Sequence, residues 1–309
     1  SIEMAEPFLK LARELREAEE TTTILPRERL FGWLRVWLAY SNATNYIPVG
    51  LARHRGVAPH TDSVVEDPTP MDLQDWLPHL AGPSPEVFDV LLGDPVDESL
   101  GDWWHRRAAL HAGEALGYLK ARLPRKRDDA PLEYFLCLLG DLGIRGVSVT
   151  SPFKRPVAGV IDGQIELDAI NTLRRGEDRW EATDTDESGM VATLEEVEMR
   201  GIGPGRVAVI GRGGVAPAVR RGIELSDWSL VFHASSREGW TDQRPERVDL
   251  VVNAAGPRPS SRRNPPTCRA WVDLHYRNVA PPPDGVDVHL NGDIFFEAQA
   301  ASQRRFWDE

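Results

Sequence analysis

The stretch Val207-Ala208-Val209-Ile210-Gly211-Arg212-Gly213-Gly214-Val215-Ala216 decides how this chain folds. Its four leading apolar residues are typical of a buried strand in a parallel sheet, and the glycines after them predict a tight turn into a helix. Glycines in such a turn let backbone amides approach a diphosphate, and the N-terminal end of a helix favours negative charge. The stretch therefore predicts a nucleotide-binding α/β unit. The pattern Gly-x-Gly-Gly is shorter than the full dinucleotide motif, so an ordinary structural turn is an equally good interpretation when it is taken alone.

The end of the next predicted strand supports the nucleotide interpretation. Leu230-Val231-Phe232 runs into His233-Ala234-Ser235-Ser236-Arg237. A dinucleotide without a 2′-phosphate usually meets an acidic residue at this place, whereas hydroxyls and an arginine suit a phosphate. The sequence therefore favours NADP over NAD as the cofactor, with Ser235, Ser236 and Arg237 as its contacts. The alternative is that Arg237 is a solvated surface residue.

Upstream of this unit, short apolar runs alternate with helical patterns. Strands are predicted at 87–92, 118–123 and 146–150, and helices at about 103–116 and 131–142. Strands separated by helices predict a parallel sheet covered on both faces. The chain is therefore expected to contain two α/β units, with Leu250-Val251-Val252 as a further strand of the second.

A lysine follows the third of these strands. The run from Gly146 to Thr150 continues into Ser151-Pro152-Phe153-Lys154, which places Lys154 where α/β sheets bind ligands. Its ammonium group is suited to hydrogen-bond a carbonyl oxygen and to exchange a proton with it. Asp186 would orient Lys154 or bind a substrate hydroxyl. Taken singly, a surface lysine and a helix-capping aspartate are the simpler interpretations, and the order of several polar motifs favours the functional one.

Composition and charge disfavour several classes of function. The 309 residues allow two or three domains, and the formal net charge of −12 disfavours nonspecific binding to nucleic acids and to anionic membranes. No apolar run approaches the ~20 residues of a membrane span, and the N-terminus lacks an export signal. The two cysteines predict neither a metal site nor a disulfide framework, which indicates a cytoplasmic protein. Cys137, within the apolar run Tyr134 to Leu139, is expected to be buried.

Six motifs, in a fixed order, carry a family resemblance. They are Ser148-Val149-Thr150-Ser151-Pro152-Phe153-Lys154, Ala169-Ile170-Asn171-Thr172, Asp184-Thr185-Asp186-Glu187-Ser188-Gly189, Val252-Asn253-Ala254, Asp273-Leu274-His275-Tyr276 and Gly292 to Gln299. Together they resemble the motifs of the shikimate dehydrogenase family, including its quinate dehydrogenase relatives, over roughly Val87 to Trp307. In the last motif, Phe295 and Phe296 replace a Met-Leu pair.

The resemblance implies a fold, a reaction and a set of site residues. The fold would be two-lobed α/β, with an N-terminal α/β substrate domain and a Rossmann-type NADP-binding domain. The reaction would move a hydride between NADPH and the ring ketone 3-dehydroshikimate, without a metal, and the partner would be a small ring carboxylate. Lys154 and Asp186 would be the catalytic pair. The implied substrate contacts are Ser99, Thr150, Asn171, Tyr276 and Gln299, and the implied cofactor contacts are Gly211, Gly213, Gly214, Val215, Ser235, Ser236, Arg237 and Asn253.

The chain departs from the family at the expected carboxylate clamp. In the stretch from Gly93 to Asp102, Ser99 is kept, but Gly101 stands where the family has a second serine and Glu98 where it has a histidine. Losing one hydroxyl donor to a charged group costs about 1.5–3 kcal/mol. Gly101 is also expected to open space that would admit the extra hydroxyl of quinate. The sequence therefore leaves shikimate, quinate and another ring acid open as substrates, beside a non-catalytic ligand-binding protein.

Three domains are predicted. Residues 1–85 form a mainly helical N-terminal section, residues 86–192 plus 293–309 form the substrate and catalytic domain, and residues 193–292 form the NADP-binding domain. Asp67-Pro68-Thr69-Pro70 loosely resembles the junction in fusions with a 3-dehydroquinate dehydratase barrel. The first section therefore leaves two alternatives open, a remnant of such a barrel or a helical accessory or dimerisation section. A homodimer and a dehydratase partner are both compatible with it.

Overall fold

The computed structural model describes residues 85–96, 99–123, 132–161, 167–235, 237, 239–256, 264–276, 279 and 281–309, with the backbone of 55–57 and 64–66. The chain divides into two compact units. The first comprises Ser1–Pro156 and Leu173–Glu181, and the second comprises Val157–Thr172 and Ala182–Glu309. In the part of the chain that the structure describes, no helix combines the length and the apolarity needed to cross a membrane.

Strands and helices alternate along most of the described chain. The strands are β1 (Arg55–Val57), β2 (Val64–Glu66), β3 (Val87–Gly93), β4 (Leu116–Arg122), β5 (Gly146–Val149), β6 (Thr172–Arg175), β7 (Trp180–Thr183), β8 (Arg206–Ile210), β9 (Ser229–Ala234), β10 (Leu250–Asn253), β11 (Ala270–Asp273) and β12 (Val288–Leu290). The helices are α1 (Gly101–His111), α2 (Leu132–Asp141), α3 (Lys154–Val160), α4 (Asp186–Met199), α5 (Ala216–Glu224) and α6 (Asp293–Asp308).

The first unit is built on a five-stranded sheet with the strand order β4-β3-β5-β6-β7. Strands β4, β3 and β5 run parallel, and their near-continuous apolar runs are buried on both faces. Asp89 is a fully buried carboxylate on β3, and an ion pair of 2.6 Å with Arg145 balances its charge. Helix α1 packs against β4, where the ring of His105 stacks on Tyr118 at 5.0 Å. This sheet carries the predicted lysine at the carboxyl end of β5.

The second unit is built on a parallel sheet with the order β12-β11-β10-β8-β9. After β8 the chain runs to β9 on one side and then returns to β10 on the other, so the strand order reverses between β8 and β10. Ligands of α/β sheets bind beyond the carboxyl ends of the strands at such a switch point. Side chains of β8 alternate between two apolar clusters, with Val207 and Val209 in one and Ala208 and Ile210 in the other.

Glycines set how closely the helices of the second unit approach one another. A β-carbon at Gly189 of α4 would lie 2.7 Å from the carbonyl oxygen of Phe295 in α6. A β-carbon at Gly222 of α5 would lie 2.6 Å from the β-carbon of Met190 in α4. Any larger side chain at either position would separate the helices. The close contacts hold the first turn of α4, which begins at Asp186, beside α6.

The observed elements test the predictions from the sequence. The two helix-flanked parallel arrangements confirm the α/β class and the Rossmann-type unit. Strands β6, β7, β11 and β12 and helix α3 were not predicted. Within residues 1–85, the structure describes an antiparallel pair, β1 and β2, and the predicted helices and the barrel hypothesis lie outside the described residues. The three domain boundaries stay a prediction.

The expected burial of Cys137 is wrong. The residue is exposed, although it lies in the apolar helix α2. The buried residues of α2 are Phe135, Leu136, Leu138 and Leu139, which leave Cys137 on the outward face. An apolar run in a helix places some members outside because the helix repeats every 3.6 residues.

Candidate active site

A buried amide organises the polar residues of the second unit. Asn171 is 1% exposed, and its Nδ2 donates to Asp186 Oδ1 at 2.8 Å and to Thr185 Oγ1 at 3.0 Å. Its Oδ1 accepts from the backbone amide of Thr185 at 2.8 Å and from Thr172 Oγ1 at 2.7 Å. A single side chain therefore fixes both the entry to α4 and the orientation of the Asp186 carboxylate.

Asp186 is buried at the first position of α4, and residues close to it in the sequence form a cluster of ion pairs. The backbone amide of Asp186 donates to Asp184 Oδ1 at 3.2 Å. The other carboxylate oxygen of Asp184 accepts from Arg221 Nη2 at 2.8 Å, and Arg221 Nε donates to Glu187 Oε2 at 3.0 Å. One guanidinium thus pairs with the acidic residues on both sides of Asp186 in the sequence. The acidic residues also lie at the N-terminal end of α4, where negative charge is stabilised.

Two further predicted residues of the second unit lie on or against α6, with Gln299 close to Asn171 and Tyr276 packed against Phe296. Gln299 Oε1 lies 3.4 Å from Asn171 Nδ2, a weak third contact of that amide, and Gln299 Nε2 donates to the Phe296 carbonyl at 3.1 Å. The ring of Tyr276 packs against that of Phe296, with centroids 5.2 Å apart. Gln303, which the sequence did not single out, is buried and donates to the Asn171 carbonyl at 3.2 Å.

The first unit carries the remaining predicted substrate and catalytic residues. Thr150 follows β5, and its amide donates to the Leu92 carbonyl at 2.8 Å, which extends the sheet by one residue. The Phe153 amide donates to the Thr150 carbonyl at 2.9 Å and closes the turn that leads into α3. Lys154 is the first residue of α3 and is half-buried. The sequence therefore placed Lys154 and Thr150 correctly at the carboxyl end of a parallel strand.

Tyr118 occupies the room that was expected beside Gly101, so that expectation is wrong. A β-carbon at Gly101 would lie 2.9 Å from the Tyr118 hydroxyl oxygen and 3.3 Å from Ser99 Oγ. The Tyr118 hydroxyl donates to Ser148 Oγ at 2.9 Å, and Ser99 Oγ accepts from the Gly101 amide at 3.1 Å. A tyrosine hydroxyl thus lies near the place where the family has its second serine. Glu98 lies outside the described residues.

The glycine turn of the second unit fits the diphosphate of a dinucleotide. Gly211 has a φ of 120°, and a β-carbon there would lie 2.6 Å from the carbonyl carbon of Ala254. Only glycine adopts this backbone and allows this approach. A β-carbon at Gly213 would meet nothing within 4 Å among the described residues, so the backbone before α5 is open to a ligand. Gly214 and Val215 complete the turn, and Val215 packs on the core below it.

Asn253 lies at the end of β10 in a buried network that the sequence only partly indicated. Its Nδ2 donates to Asp273 Oδ1 at 2.6 Å, and its Oδ1 accepts from the Ala255 amide at 3.2 Å. Asp273 Oδ2 accepts from Trp271 Nε1 at 3.0 Å and lies 3.1 Å from His289 Nε2. The network ties the turn after β10 to β11 and β12. Asp273 is part of a quoted motif, but its role as an anchor for Asn253 was missed.

The remaining predicted cofactor residues follow β9. Ser235 is half-buried and accepts from the Arg237 amide at 3.2 Å, whereas Arg237 is exposed. Ser236 lies outside the described residues. In the described ranges, no group of three or more His, Cys, Asp and Glu side chains is arranged to hold a metal ion.

The strand order and the glycine turn at the switch point define an α/β protein with a Rossmann-type unit. No protein-family profile matches the chain. Among curated proteins, the shikimate dehydrogenase (NADP(+)) of Prochlorococcus marinus (strain MIT 9301) is 30% identical over 220 residues, which cover 62% of this chain and 74% of that protein. The chain belongs to the shikimate dehydrogenase family.

Other relatives match over shorter ranges. The shikimate dehydrogenase (NADP(+)) of Xanthomonas euvesicatoria pv. vesicatoria (strain 85-10) is 31% identical over 178 residues, 54% of this chain and 56% of that protein. The chain spans about half the length of the curated relatives that it matches first.

Solved structures share the fold. Shikimate 5-dehydrogenase of Thermus thermophilus, solved in complex with NADP(H) and shikimate, has a TM-score of 0.57 at 23% identity and covers 72% of this chain and 93% of that one. Quinate dehydrogenase of Corynebacterium glutamicum, solved in complex with NAD, has a TM-score of 0.57 at 19% identity with the same coverage. At these identities the likeness shows the fold alone.

Proposed function

We propose that this chain is an NADP-dependent oxidoreductase that interconverts 3-dehydroshikimate and shikimate. The observation that carries the proposal is the buried hydrogen bond of 2.8 Å between Asn171 and Asp186, which orients the carboxylate of the expected catalytic pair. Membership of the shikimate dehydrogenase family, and a relative named for NADP(+), support the reaction class and the cofactor.

The residues around the glycine turn fit the cofactor. The open backbone at Gly213 and the N-terminal end of α5 suit a diphosphate, which the amides of this turn would bind. When bound, NADPH supplies the hydride that reduces the ring ketone. The residues proposed to hold it are Gly211, Gly213, Gly214, Val215, Ser235, Ser236, Arg237 and Asn253.

Lys154 and Asp186 are proposed to handle the proton. The Lys154 ammonium donates a proton to the ketone oxygen as the carbon receives the hydride, and it accepts that proton in the reverse direction. Asp186 is proposed to accept a hydrogen bond from a ring hydroxyl. Asn171 keeps the Asp186 carboxylate in place, so the geometry is set before the substrate arrives.

The substrate is proposed to be held by two hydroxyls, two amides and a phenol. The proposed contacts are Ser99, Thr150, Asn171, Tyr276 and Gln299. The Tyr118 hydroxyl near Gly101 leaves less room for the extra hydroxyl of quinate than a bare glycine would, which favours shikimate. The same hydroxyl places a hydrogen-bonding group beside Ser99, where the family has two serines.

Domain organisation and location belong to the same proposal. The substrate and catalytic domain would comprise 86–192 plus 293–309, and the NADP-binding domain 193–292. The exposed free thiol of Cys137 is compatible with a reducing cytoplasm, which we propose as the location. Residues 1–85 would mediate homodimerisation or contact a dehydratase domain.

Initial rates with NADP⁺ and NAD⁺ against shikimate and quinate test the proposal, with nicotinamide absorbance as the readout. We expect turnover of shikimate with NADP⁺ and slower turnover of the other pairs. Turnover of quinate alone would overturn the proposed substrate. If no pair is turned over but NADPH still binds, the proposed activity is wrong and the chain is a ligand-binding relative of the family. If no pair is turned over and NADPH does not bind, the whole proposal is overturned.

A further inference from the structure

Two hydrogen bonds join the glycine turn to the end of β9. Arg212 Nη2 donates to the backbone carbonyl of His233 at 3.0 Å. The His233 imidazole Nε2 lies 2.5 Å from the backbone carbonyl of Gly211 and must donate there, because a carbonyl oxygen only accepts. The two contacts together link the turn after β8 to the end of β9, the neighbouring parallel strand. They place the Arg212 side chain along the carboxyl end of β9 rather than away from the turn.

The carboxyl end of β9 is the position that reads the 2′ group of the adenosine ribose. In sheets of this kind, the end of the second strand meets the ribose 2′-hydroxyl of NAD, and an arginine nearby accommodates the 2′-phosphate of NADP. β9 is that second strand, because it follows β8 in the chain and pairs with it in parallel. Arg212 reaches this place from the first strand, through the same turn that is proposed to bind the diphosphate.

Arg212 has the chemistry that a phosphate needs. Its side chain is exposed, and a guanidinium has five N–H donors, of which the His233 contact uses one among the described residues. Because that contact already restricts the side chain, less conformational entropy is lost when the guanidinium binds an anion. A guanidinium also matches the oxygens of a phosphate in a bidentate geometry, which a lysine does not.

We infer that Arg212 is a specificity-determining residue that binds the 2′-phosphate of NADP(H), beside the contacts expected from Ser235 and Arg237. The inference rests on the proposed function, since it assumes that the glycine turn binds a dinucleotide. Under this inference, a residue of the glycine turn itself contributes to the preference for NADP over NAD.

Two nucleotide fragments test the inference without catalysis. Isothermal titration calorimetry of 2′,5′-ADP and of 5′-ADP separates binding of the 2′-phosphate from binding of the rest of the fragment. In the parent we expect 2′,5′-ADP to bind more tightly. Arg212→Ala should weaken 2′,5′-ADP by roughly 10- to 100-fold, the range for hydrogen bonds to a charged group, and leave 5′-ADP nearly unchanged. Arg212→Lys should fall between the parent and the alanine variant.

Arg220→Ala is the matched control. Arg220 is exposed on α5, the helix that follows the glycine turn, and pairs with Glu224 at 3.6 Å, so its removal changes the net charge equally without touching the turn. It should leave both affinities unchanged. An equal fall for both fragments in Arg212→Ala would overturn the inference, because Arg212 would then only hold the turn. No loss for 2′,5′-ADP would overturn it too. Failure of the parent to bind either fragment would overturn the dinucleotide site of the proposed function itself.

Discussion

At the scale of single residues, a substitution of Lys154 tests its proposed role in proton transfer independently of cofactor binding. It begins α3 in the first unit, whereas the glycine turn lies in the second unit. Lys154→Ala is expected to lower turnover by roughly 10²- to 10⁴-fold, as the loss of a positioned acid-base group does, with the NADPH dissociation constant little changed. Steady-state kinetics and a fluorescence titration with NADPH measure the two quantities.

Arg155→Ala provides the control for Lys154→Ala. Arg155 is exposed and is the next residue of the same helix, so its removal takes away one positive charge without the proposed donor. Turnover of Arg155→Ala should match the parent. Equal turnover in Lys154→Ala and the parent would remove Lys154 from the mechanism.

The two cysteines should differ in reactivity. Burial raises the pKa of the Cys268 thiol from 9.0 to about 12, so at neutral pH it is almost entirely protonated. Because the thiolate is the reactive species, Cys268 should react slowly, whereas the exposed Cys137 is accessible. A disulfide-exchange reagent should titrate one thiol quickly in the folded protein, and Cys137→Ser should abolish that phase. Two thiols reacting at one rate would contradict this account.

The sequence predicted many site residues but not what holds them in place. Motif order predicted Asn171, Asp186 and Asn253 as site residues. Their supports are Gln303 and Asp273, which act through contacts 132 and 20 residues away in the chain, respectively. Such contacts follow from how elements meet in space, and a local pattern of residue types carries no signal for them.

At the scale of elements, the contact between α4 and α6 depends on a glycine. A β-carbon at Gly189 would lie 2.7 Å from a backbone carbonyl of α6, which cannot move as a flexible side chain can. Gly189→Ala should therefore destabilise the protein by about 1–3 kcal/mol, as overpacking of a core contact does. It should also lower turnover, because Asp186 begins α4. Urea unfolding measures the first effect and initial rates the second.

Gly203→Ala is the matched control for the contact. A β-carbon at Gly203 would meet nothing within 4 Å among the described residues, and Gly203 is not among the glycines with positive φ. The same substitution there should leave the free energy of unfolding within ~0.5 kcal/mol of the parent. If the two substitutions changed the free energy of unfolding equally, the close approach of the helices at Gly189 would not be the cause of the destabilisation.

Most strands with strong apolar runs were predicted, but β11, in which Ala270, Trp271 and Val272 are buried in succession, was missed together with the weaker strands. β3, β8 and β10 contain three or more consecutive buried apolar residues, which a periodicity analysis detects. β6 and β7 are four residues long, and their patterns Thr-Leu-Arg-Arg and Trp-Glu-Ala-Thr carry charged or polar residues. Pairing in the sheet forms these strands, and their own sequence gives little indication of it.

At the scale of the whole molecule, the second unit contains both the proposed cofactor site and a part of the proposed catalytic site. The switch point between β8 and β10 places the glycine turn and the Asn253 network at one edge of the second sheet. The same unit holds Asn171 and Asp186 through α4 and α6. We therefore expect the chain to transfer a hydride directly from its cofactor to a ring ketone.

Transfer of an isotopic label tests this claim most directly. The protein is mixed with 3-dehydroshikimate and NADPH that carries deuterium at the reactive carbon of the nicotinamide, and the product is analysed by mass spectrometry. The account predicts shikimate heavier by one deuterium when the labelled face is the one used, and unlabelled shikimate with the opposite face. Shikimate that lacks the label with both cofactor preparations, or no shikimate at all, would contradict it.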